Sequence, residues 1–368
     1  MKIEFTPLSA ELVPACRAFN ERLRRHGEPP FLLPEEAPAA RRAGPGAISR
    51  NHYVALDDTG AVRGGVLLME QRGWLGQSAI PLINIQSPLS EGTVDRAFTG
   101  VSLRMLQFLT CRNPHLYAVG MGSERNPFAR LLMAAGWPVT RIPFQFAVIQ
   151  AARCLREIEP LRRGRKRTFA RLAAASGLGA VAAAVWRLTR RRPSLRGYSL
   201  ESAVRWPDAL NAVWDRCRGE LDFSVVRDAP AVADLHPDSQ PRLKRYLLRS
   251  GGEIVGWSVG LVTAMQRNPH FGDLNVGTIL DALAPPEHLD ALLAHTQDAL
   301  CGLGADLIVA NHTHARWRER LRRLGFLSGP SNYLVAMSQP LASAIRAQPG
   351  SSERVYISRG DGDGRLNL

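Results

Sequence analysis

One carboxylate and two histidines occupy positions from which they could move a proton. Asp281 lies inside the apolar strand pattern TILDAL, and His312 and His314 follow the apolar stretch LIVA. A buried carboxylate costs free energy unless it is paired, and an Asp–His pair can act as a general base near neutral pH. Asp281, His312 and His314 are therefore catalytic candidates. The alternative is that the histidines cap a helix or face solvent and that Asp281 begins a turn; zinc binding is less favoured, because no third ligand of suitable spacing is evident.

These candidates belong to the second of two similar halves of the chain. HYVALDDTGAVRGGVLLM, from His52, and RYLLRSGGEIVGWSVGLV, from Arg245, alternate apolar and polar residues about a turn, which predicts a β-hairpin in each half. HLYAVGMGSERNPFARLLMAAGW and DLIVANHTHARWRERLRRLGF each predict a strand and a helix that ends at glycine, Gly136 or Gly325. Equivalent positions lie 189 to 193 residues apart. The sequence therefore predicts two copies of one α/β unit.

The domain boundaries follow from this repeat. Each copy has the order strand, helix, hairpin, strand, helix, strand, helix and a last strand, which is FQFAVIQ in the first copy and NYLVAMS in the second. We expect the copies at 1–150 and 197–340, joined by a basic helical linker at 151–196. The tail 341–368 is rich in Ser, Gly and Asp and poor in large apolar residues, which predicts that it is mobile.

This order of elements resembles the GCN5-related N-acetyltransferase (GNAT) fold. The third strand of each copy carries G-x-[IV]-x-G, as GAVRG from Gly60 and GEIVG from Gly252, and each copy has a strand–helix–Gly–aromatic ending. Two fused copies resemble tandem acyltransferases, including the Fem-type aminoacyl transferases that use charged tRNA. The resemblance implies an α/β protein with two tandem GNAT-like (acyl-CoA N-acyltransferase) domains. It also implies acyl-CoA or acetyl-CoA as co-substrate, with no metal.

Members of the GNAT fold hold the pyrophosphate of acyl-CoA in a glycine-containing loop after the fourth strand, where a helix N-terminus favours an anion. In the first copy, that strand is expected to be AIPLINIQSPL, and RAFTGVS follows it with one residue more than the family spacing and Ser in place of the last Gly. The alternative is an ordinary helix start with a turn glycine. The resemblance implies that the following residues bind the cofactor: Ile85, Arg96, Thr99, Gly100, Ser102 and Asn126.

The second copy departs further from the GNAT pattern. Pro285 and Pro286 stand where the loop should offer N–H groups, so pyrophosphate binding is not expected there. The family's usual general acid, a Tyr four residues before the helix-ending glycine, is replaced by Leu132 in the first copy and Leu321 in the second. Catalysis would then rest on other groups or on positioning the reactants.

Two further groups of residues are candidates for the site. Glu124, at the junction of the fifth strand and its helix, is a catalytic candidate, with helix capping as the alternative. Asp222, Arg227 and Asp228 lie where this fold places its acceptor-side loops, and they could shape an acceptor pocket. The sequence does not identify the acceptor.

Most of the net charge lies in one segment. Residues 153–196 contain 12 Arg and one Lys against two Glu, a net +11 of the chain's +14. The apolar run at 172–186 has 15 residues, fewer than the roughly 20 that a spanning helix needs. Residues 162–192 could instead lie on an anionic membrane surface or serve as a soluble connector. Binding to tRNA phosphates is less favoured, because basic and aromatic residues do not alternate.

The predicted function is transfer of an acyl group from acyl-CoA to an amine or hydroxyl of a sugar, an amino acid or a lipid-linked precursor. Five scattered cysteines without a C-x-x-C pair, and an N-terminus without a signal-peptide pattern, favour the cytoplasm or the inner face of the membrane. Two alternatives stay open: a Fem-like transferase that depends on aminoacyl-tRNA, and a catalytically silent GNAT-like binding or scaffolding protein.

Overall fold

A computed structural model describes residues 2–27, 29, 31–36, 48–158, 193–350 and 353–362. The basic segment predicted to contact a membrane or tRNA, 162–192, lies outside the described residues. The chain forms two compact units. Unit 1 consists of Met1–Arg141 and Asn332–Pro349, and unit 2 consists of Ile142–Ser331 and Gly350–Leu368.

Strands and helices are numbered in chain order. The strands are β1 Glu4–Pro7, β2 Ser49–Leu56, β3 Val62–Leu75, β4 Ser78–Ser90, β5 Leu116–Val119, β6 Val139–Arg141, β7 Phe144–Val148, β8 Tyr198–Ser202, β9 Phe223–Val225, β10 Lys244–Ser250, β11 Glu253–Ala264, β12 Asn275–Leu283, β13 Leu307–Asn311, β14 Leu327–Gly329, β15 Leu334–Met337 and β16 Val355–Tyr356. The α-helices are α1 Val13–Arg24, α2 Gly100–Arg112, α3 Pro127–Ala134, α4 Ala151–Glu157, α5 Leu210–Arg218, α6 Ala229–Leu235, α7 Pro286–Gly302, α8 Ala315–Arg323 and α9 Gln339–Arg346.

Unit 1 is built on a sheet with the strand order β1-β2-β3-β4-β5-β15-β6. The pairing is antiparallel except between β4 and β5, which run parallel. The predicted hairpin is confirmed as β2–β3, and its turn is fixed by the Asp57 carboxylate, which accepts the N–H groups of Thr59 and Ala61. Apolar side chains of α2 and α3 pack on one face of the sheet, and those of α1 contribute to a separate cluster.

Unit 2 repeats this plan with the strand order β14-β7-β13-β12-β11-β10-β8. Here β12 and β13 form the parallel pair, and β10–β11 is the predicted hairpin, which turns at Gly251 and Gly252 with positive φ. The predicted glycine caps are present in both units. Trp137 N–H bonds to Leu132 O and Phe326 N–H to Leu321 O, each across a left-handed glycine, which satisfies carbonyl groups at the helix end.

The last strand of each sequence copy lies in the sheet that the other copy forms. β7, from the first half of the chain, pairs with β13 in unit 2, and β15, from the second half, pairs with β5 in unit 1. The copies predicted at 1–150 and 197–340 therefore differ from the folded units in their final strands. Both segments carry the alternating apolar pattern of a strand, which identifies the element but not its partner.

The prediction of a mobile tail is wrong for the described part of 341–368. Helix α9 extends to Arg346 and buries Leu341 and Ile345. Further on, β16 pairs with β9, and Ile357 is fully buried. The Ser and Asp that suggested disorder instead form a capping box between Ser358 and Asp361. Within the described residues, none of the helices combines the length and the apolar character needed to cross a membrane.

Candidate functional site

The parallel strands of unit 1 separate soon after they meet. β4 and β5 are in register at Ile83–Leu116 and Asn84–Tyr117, whereas β4 stays paired with β3 as far as Ser90. A β-bulge with Ser87 at φ 44° interrupts the β3–β4 ladder in this region. Diverging strands turn backbone N–H and C=O groups toward the space between them, and such groups need partners. This divergence is the place in unit 1 that suits an extended polar ligand.

The loop after β4 consists of two short 3-10 turns, Glu91–Thr93 and Arg96–Phe98. The Ser90 hydroxyl accepts the N–H of Gly92 at 3.2 Å. The Asp95 carboxylate accepts the N–H of Ala97 at 2.9 Å. The turns are therefore capped by their own side chains before α2 begins.

A buried ion pair fixes this loop to the rest of unit 1. Glu91 is almost fully buried, and its carboxylate contacts Arg22 Nε at 2.7 Å and Arg63 Nη1 at 3.0 Å. A Cβ added at Gly92 would lie 2.6 Å from the Phe98 carbonyl oxygen, so the two turns approach too closely for any other residue. The ion pair and the close approach of the two turns together restrict the conformation of the loop.

The predicted pyrophosphate-binding residues lie together at the start of α2. Arg96, Thr99 and Gly100 are exposed and Ser102 is half-buried. The Thr99 hydroxyl donates to the Arg96 carbonyl at 2.8 Å, which leaves its oxygen able to accept. These four residues are brought together as the sequence predicts, and their binding role stays a prediction.

The other predicted residues of unit 1 have contacts of a structural kind. Ile85 is buried in the main apolar cluster of unit 1, and the Asn126 side chain caps α3 by accepting the Phe128 N–H at 2.9 Å. Glu124 lies at the surface, where its carboxylate is 2.8 Å from Arg141 Nη2. The cofactor role of Ile85 and Asn126 and the catalytic role of Glu124 stay predictions.

Several buried polar residues of unit 1 were missed by the sequence analysis. Asn84 and Gln86 alternate with Ile83 and Ile85 along β4, so they lie on the opposite face of the sheet. Neighbouring strands add the hydrogen-bonded pair Gln71 and Tyr117, with 2.6 Å between Nε2 and Oη. The signal was present in the pattern LINIQ, where amides interrupt an apolar strand. These four side chains place neutral donors and acceptors beside the point where β4 and β5 separate.

Unit 2 contains a buried ionic cluster around Asp281. The Asp281 Oδ2 atom lies 3.0 Å from Arg227 Nε and 3.3 Å from His236 Nε2, and Tyr356 Oη donates to Oδ1 at 2.7 Å. Arg227 Nη2 also pairs with Asp361 Oδ2 at 2.7 Å. All five side chains are buried. The costly carboxylate in TILDAL is thus fully paired.

Charge and burial act in opposite directions on these groups. Burial alone would raise the pKa of Asp281, but Arg227, with His236 and Tyr356, holds the pKa of this carboxyl well below its usual range. Burial raises the pKa of Asp361, with Arg227 opposing and Asp281 adding to the shift. Arg227 also donates to the Ser224 hydroxyl at 2.7 Å and stays charged. The cluster therefore serves as a buried, fully bonded anchor.

The two predicted histidines differ in their surroundings. His314 is the N-cap of α8, where its Nδ1 accepts the Arg316 N–H at 3.1 Å and its ring packs on Trp317, so the helix-cap alternative is confirmed for it. His312 is fully buried, and neither ring nitrogen has a hydrogen-bond partner among the described residues. Burial lowers the pKa of both to about 4. Both imidazoles are therefore neutral at pH 7.

The structure pairs Asp281 with a different histidine from the one expected. Its hydrogen-bonded partner is His236, in the stretch VADLHPDSQ, rather than His312. Full burial of Asp281 and His312 does not favour contact with a substrate. The catalytic roles of Asp281, His312 and His314 stay untested predictions. The described residues offer no group of three His, Cys, Asp or Glu placed to hold a metal ion.

The residues expected to shape an acceptor pocket in unit 2 are occupied by structural contacts. Arg227 is the centre of the buried cluster, and Asp222 is also buried. The Asp228 carboxylate caps α6 by accepting the Ala231 N–H at 3.1 Å. Charged residues in a loop can bind a ligand, but the burial of Asp222 and Arg227 indicates structural contacts instead.

No family model matches the sequence, and no curated protein matches it. Three solved structures are similar over most of the chain. N-myristoyltransferase from Saccharomyces cerevisiae with bound myristoyl-CoA is 11% identical, and the match covers 91% of this chain and 82% of that one with a TM-score of 0.52. A probable N-acyltransferase from Enterococcus faecalis is 11% identical, with coverage of 94% and 74% and a TM-score of 0.51. A GCN5-related N-acetyltransferase from Anabaena variabilis is 9% identical, with coverage of 91% and 72% and a TM-score of 0.51.

These similarities define the class of fold. The chain has the mixed α/β fold of the GNAT N-acyltransferases, which confirms the predicted fold class. At this level of identity the likeness concerns the fold and not the reaction. The predicted likeness to Fem-type transferases stays a prediction.

Proposed function

We propose that the protein is an acyltransferase that moves an acyl group from acyl-CoA to an amine or hydroxyl acceptor, and that unit 1 holds the acyl-CoA. The observation that carries this proposal is the divergence of β4 and β5 after Asn84–Tyr117 in a fold shared with N-acyltransferases. The similar yeast enzyme holds myristoyl-CoA, which supports a thioester of coenzyme A as the acyl donor.

The proposed donor site uses two features of unit 1. The pantetheine arm of acyl-CoA contains amides, which match the backbone groups along diverging strands. Its pyrophosphate would lie at the start of α2, where backbone N–H groups and the helix dipole favour an anion. Ser102 would add a hydroxyl donor and Arg96 a positive charge, and the Thr99 hydroxyl would donate to the phosphate by turning from the Arg96 carbonyl. Because the ion pairs of Glu91 restrain the loop, binding would cost little free energy in ordering it.

The reaction needs one bond to form and one to break. The acceptor nitrogen or oxygen attacks the thioester carbonyl, the carbon–sulfur bond breaks, and the acceptor's proton ends on the coenzyme A thiol. Leucine has no proton to donate, so Leu132, at the position of the family's usual acid, supplies no donor here. The rate would then come mainly from holding the reactants together, for which effective concentrations are large.

The test measures binding of acetyl-CoA and longer acyl-CoAs by calorimetry. A variant, Gly100→Asp, places a negative charge at the start of α2; the added Cβ meets no described heavy atom within 4 Å, so folding should be unaffected. We expect at least a tenfold loss of affinity. The matched control Gly219→Asp adds the same charge in unit 2, also into open space among the described residues, and should bind like the wild type.

Three results would count against the proposal. Absence of binding by any acyl-CoA refutes an acyl-CoA donor, and salt-sensitive binding of aminoacyl-tRNA instead would favour the tRNA-dependent alternative. Wild-type affinity in Gly100→Asp would show that the pyrophosphate does not lie at α2. Binding without release of free thiol, over a panel of amines, sugars and amino acids, would favour a silent binding protein.

A further inference from the structure

The parallel strands of unit 2 also separate, at a position equivalent to that in unit 1. β12 and β13 stay in register as far as Ile279–Ala310, and a β-bulge at Leu280 follows immediately in the β11–β12 ladder. In unit 1 this divergence is the proposed place of the acyl-CoA arm. In unit 2 it contains a segment of the chain itself, residues 353–362, which follows the last helix.

This C-terminal segment forms hydrogen bonds with the chain that continues from β13. His312 and Ser358 form an antiparallel bridge. The Thr313 N–H donates to the Ile357 carbonyl at 3.0 Å, and the Ile357 N–H donates to the Thr313 hydroxyl at 2.8 Å. The Ala315 N–H donates to the Glu353 carbonyl at 3.0 Å. The segment thus takes up backbone groups at the carboxyl end of β13, as an added strand would.

The same segment reaches the other diverging strand. Tyr356 Oη bonds to the Asp281 carboxylate and lies 2.7 Å from the Ala282 carbonyl oxygen, both near the end of β12. A Cβ added at Gly360 would lie 3.0 Å from His236 Cε1 and 3.2 Å from Asp281 Cβ. The segment therefore contacts both sides of the divergence and approaches β12 closely.

A buried charge fixes the end of the segment. The Asp361 carboxylate accepts two contacts from Arg227 Nη2, at 2.7 and 2.9 Å, and also accepts the Ser358 N–H at 2.8 Å. Removing one partner from a buried ion pair is strongly destabilising, because it leaves the other charge buried and unpaired. Displacing the segment would leave the buried Arg227 without Asp361. A weakly bound ligand would not offset that loss of stability, so it would not displace the segment.

The start of α7 provides independent support. This helix follows β12 as α2 follows β4, but Pro285 is its N-cap and Pro286 its first residue. Proline has no N–H to offer to an anion. Unit 2 therefore differs from the proposed donor site of unit 1 in both places that acyl-CoA would occupy.

We infer that residues 353–362 occupy, in unit 2, the cleft that holds acyl-CoA in unit 1, so that the chain binds one acyl-CoA and unit 2 is not a donor site. The expected number of one acyl-CoA per chain rests on the proposed function. The occupation of the cleft in unit 2 by residues 353–362 rests on the contacts of that segment alone. The cleft in unit 2 is then a groove that holds an extended peptide, which is the chain's own segment 353–362.

The count is tested by the stoichiometry of acyl-CoA binding to the full chain. We expect one molecule per wild-type chain, and in Gly100→Asp a single site of at least tenfold lower affinity. Two molecules per wild-type chain would overturn the inference and leave the proposed function intact. No binding to the wild type would instead refute the proposed function, and with it the count.

The occupied cleft is tested separately by amide hydrogen exchange on the wild-type protein. The Ile357 and Ser358 amides should exchange slowly without ligand, because both are hydrogen-bonded and buried. Saturating acyl-CoA should slow exchange at the start of α2 and leave 353–362 unchanged. Exchange of these amides at the rate of a free peptide, or faster exchange when acyl-CoA binds, would overturn the occupied cleft whatever the stoichiometry.

Discussion

Mild acid should destabilise unit 2 through its buried histidines. His312 is fully buried, and burial lowers its pKa to about 4, against 6.5 for an exposed histidine. Between about pH 6.5 and pH 4, the unfolded chain therefore binds a proton at this histidine that the folded chain does not bind. The resulting stability is complete above about pH 6.5 and is lost as the pH falls toward 4.

The magnitude follows from the two pKa values. One pKa unit corresponds to about 1.4 kcal/mol, so His312 alone should remove about 2 kcal/mol of unfolding free energy between pH 7 and pH 4.5. His314, whose pKa burial also lowers to about 4, should add a loss of similar size. Carboxylates contribute their own pH dependence, so a matched variant is needed to isolate the imidazole.

The assay is urea unfolding at steps between pH 7 and pH 4.5. His312→Leu removes the titrating group at little cost in volume, so its stability at pH 7 should change by less than about 1.5 kcal/mol. The unfolding free energy that this variant loses between the two pH values should be about 2 kcal/mol smaller than the loss in the wild type. His270→Leu, at an exposed position of unit 2, should behave like the wild type. Equal pH dependence in His312→Leu and the wild type would refute the reasoning.

Four further substitutions, of which Gly219→Ala is a control, test the packing and the ion pairs by the same urea unfolding. Arg227→Leu leaves two buried aspartates without their cation and should cost about 3–5 kcal/mol; a loss below about 1 kcal/mol would contradict the buried anchor. Gly65→Ala places a Cβ 2.7 Å from a side-chain carbon and 2.8 Å from a backbone oxygen, and should cost about 1–3 kcal/mol. Gly219→Ala, with open space among the described residues and φ −66°, should be neutral or slightly stabilising. Glu91→Gln removes the charge shared by two arginines and should cost about 2 kcal/mol, whereas an unchanged midpoint would show that the loop needs no such anchor.

Local features were predicted well because short stretches of sequence decide them. The hairpin turns and the glycines that end α3 and α8 depend on residues within a few positions of one another. Gly136 and Gly325 both have positive φ, as the pattern required. The periodic repetition of such features also predicted the fold class, which similar solved structures confirm.

The candidate site was predicted in part. An aspartate inside an apolar strand indicates that Asp281 needs a partner, and the structure provides several. The partners are distant in the sequence, since Arg227 lies 54 positions away and His236 lies 45. Spacing could not distinguish the buried His236 from His312, because both follow apolar stretches and only the fold decides which imidazole meets the carboxylate.

The sequence by itself determined the elements of this protein, their order and the repetition of that order in two halves, because side-chain periodicity and turn chemistry act over a few residues. Tertiary structure alone decided which partners the elements have. β7 and β15 are strands by pattern, but hydrogen bonding placed each in the sheet of the other unit. Residues 353–362 look mobile by composition, yet a buried pairing of Asp361 with Arg227, 134 positions away, orders them. Pairings over such distances depend on shape and charge, which no local pattern encodes.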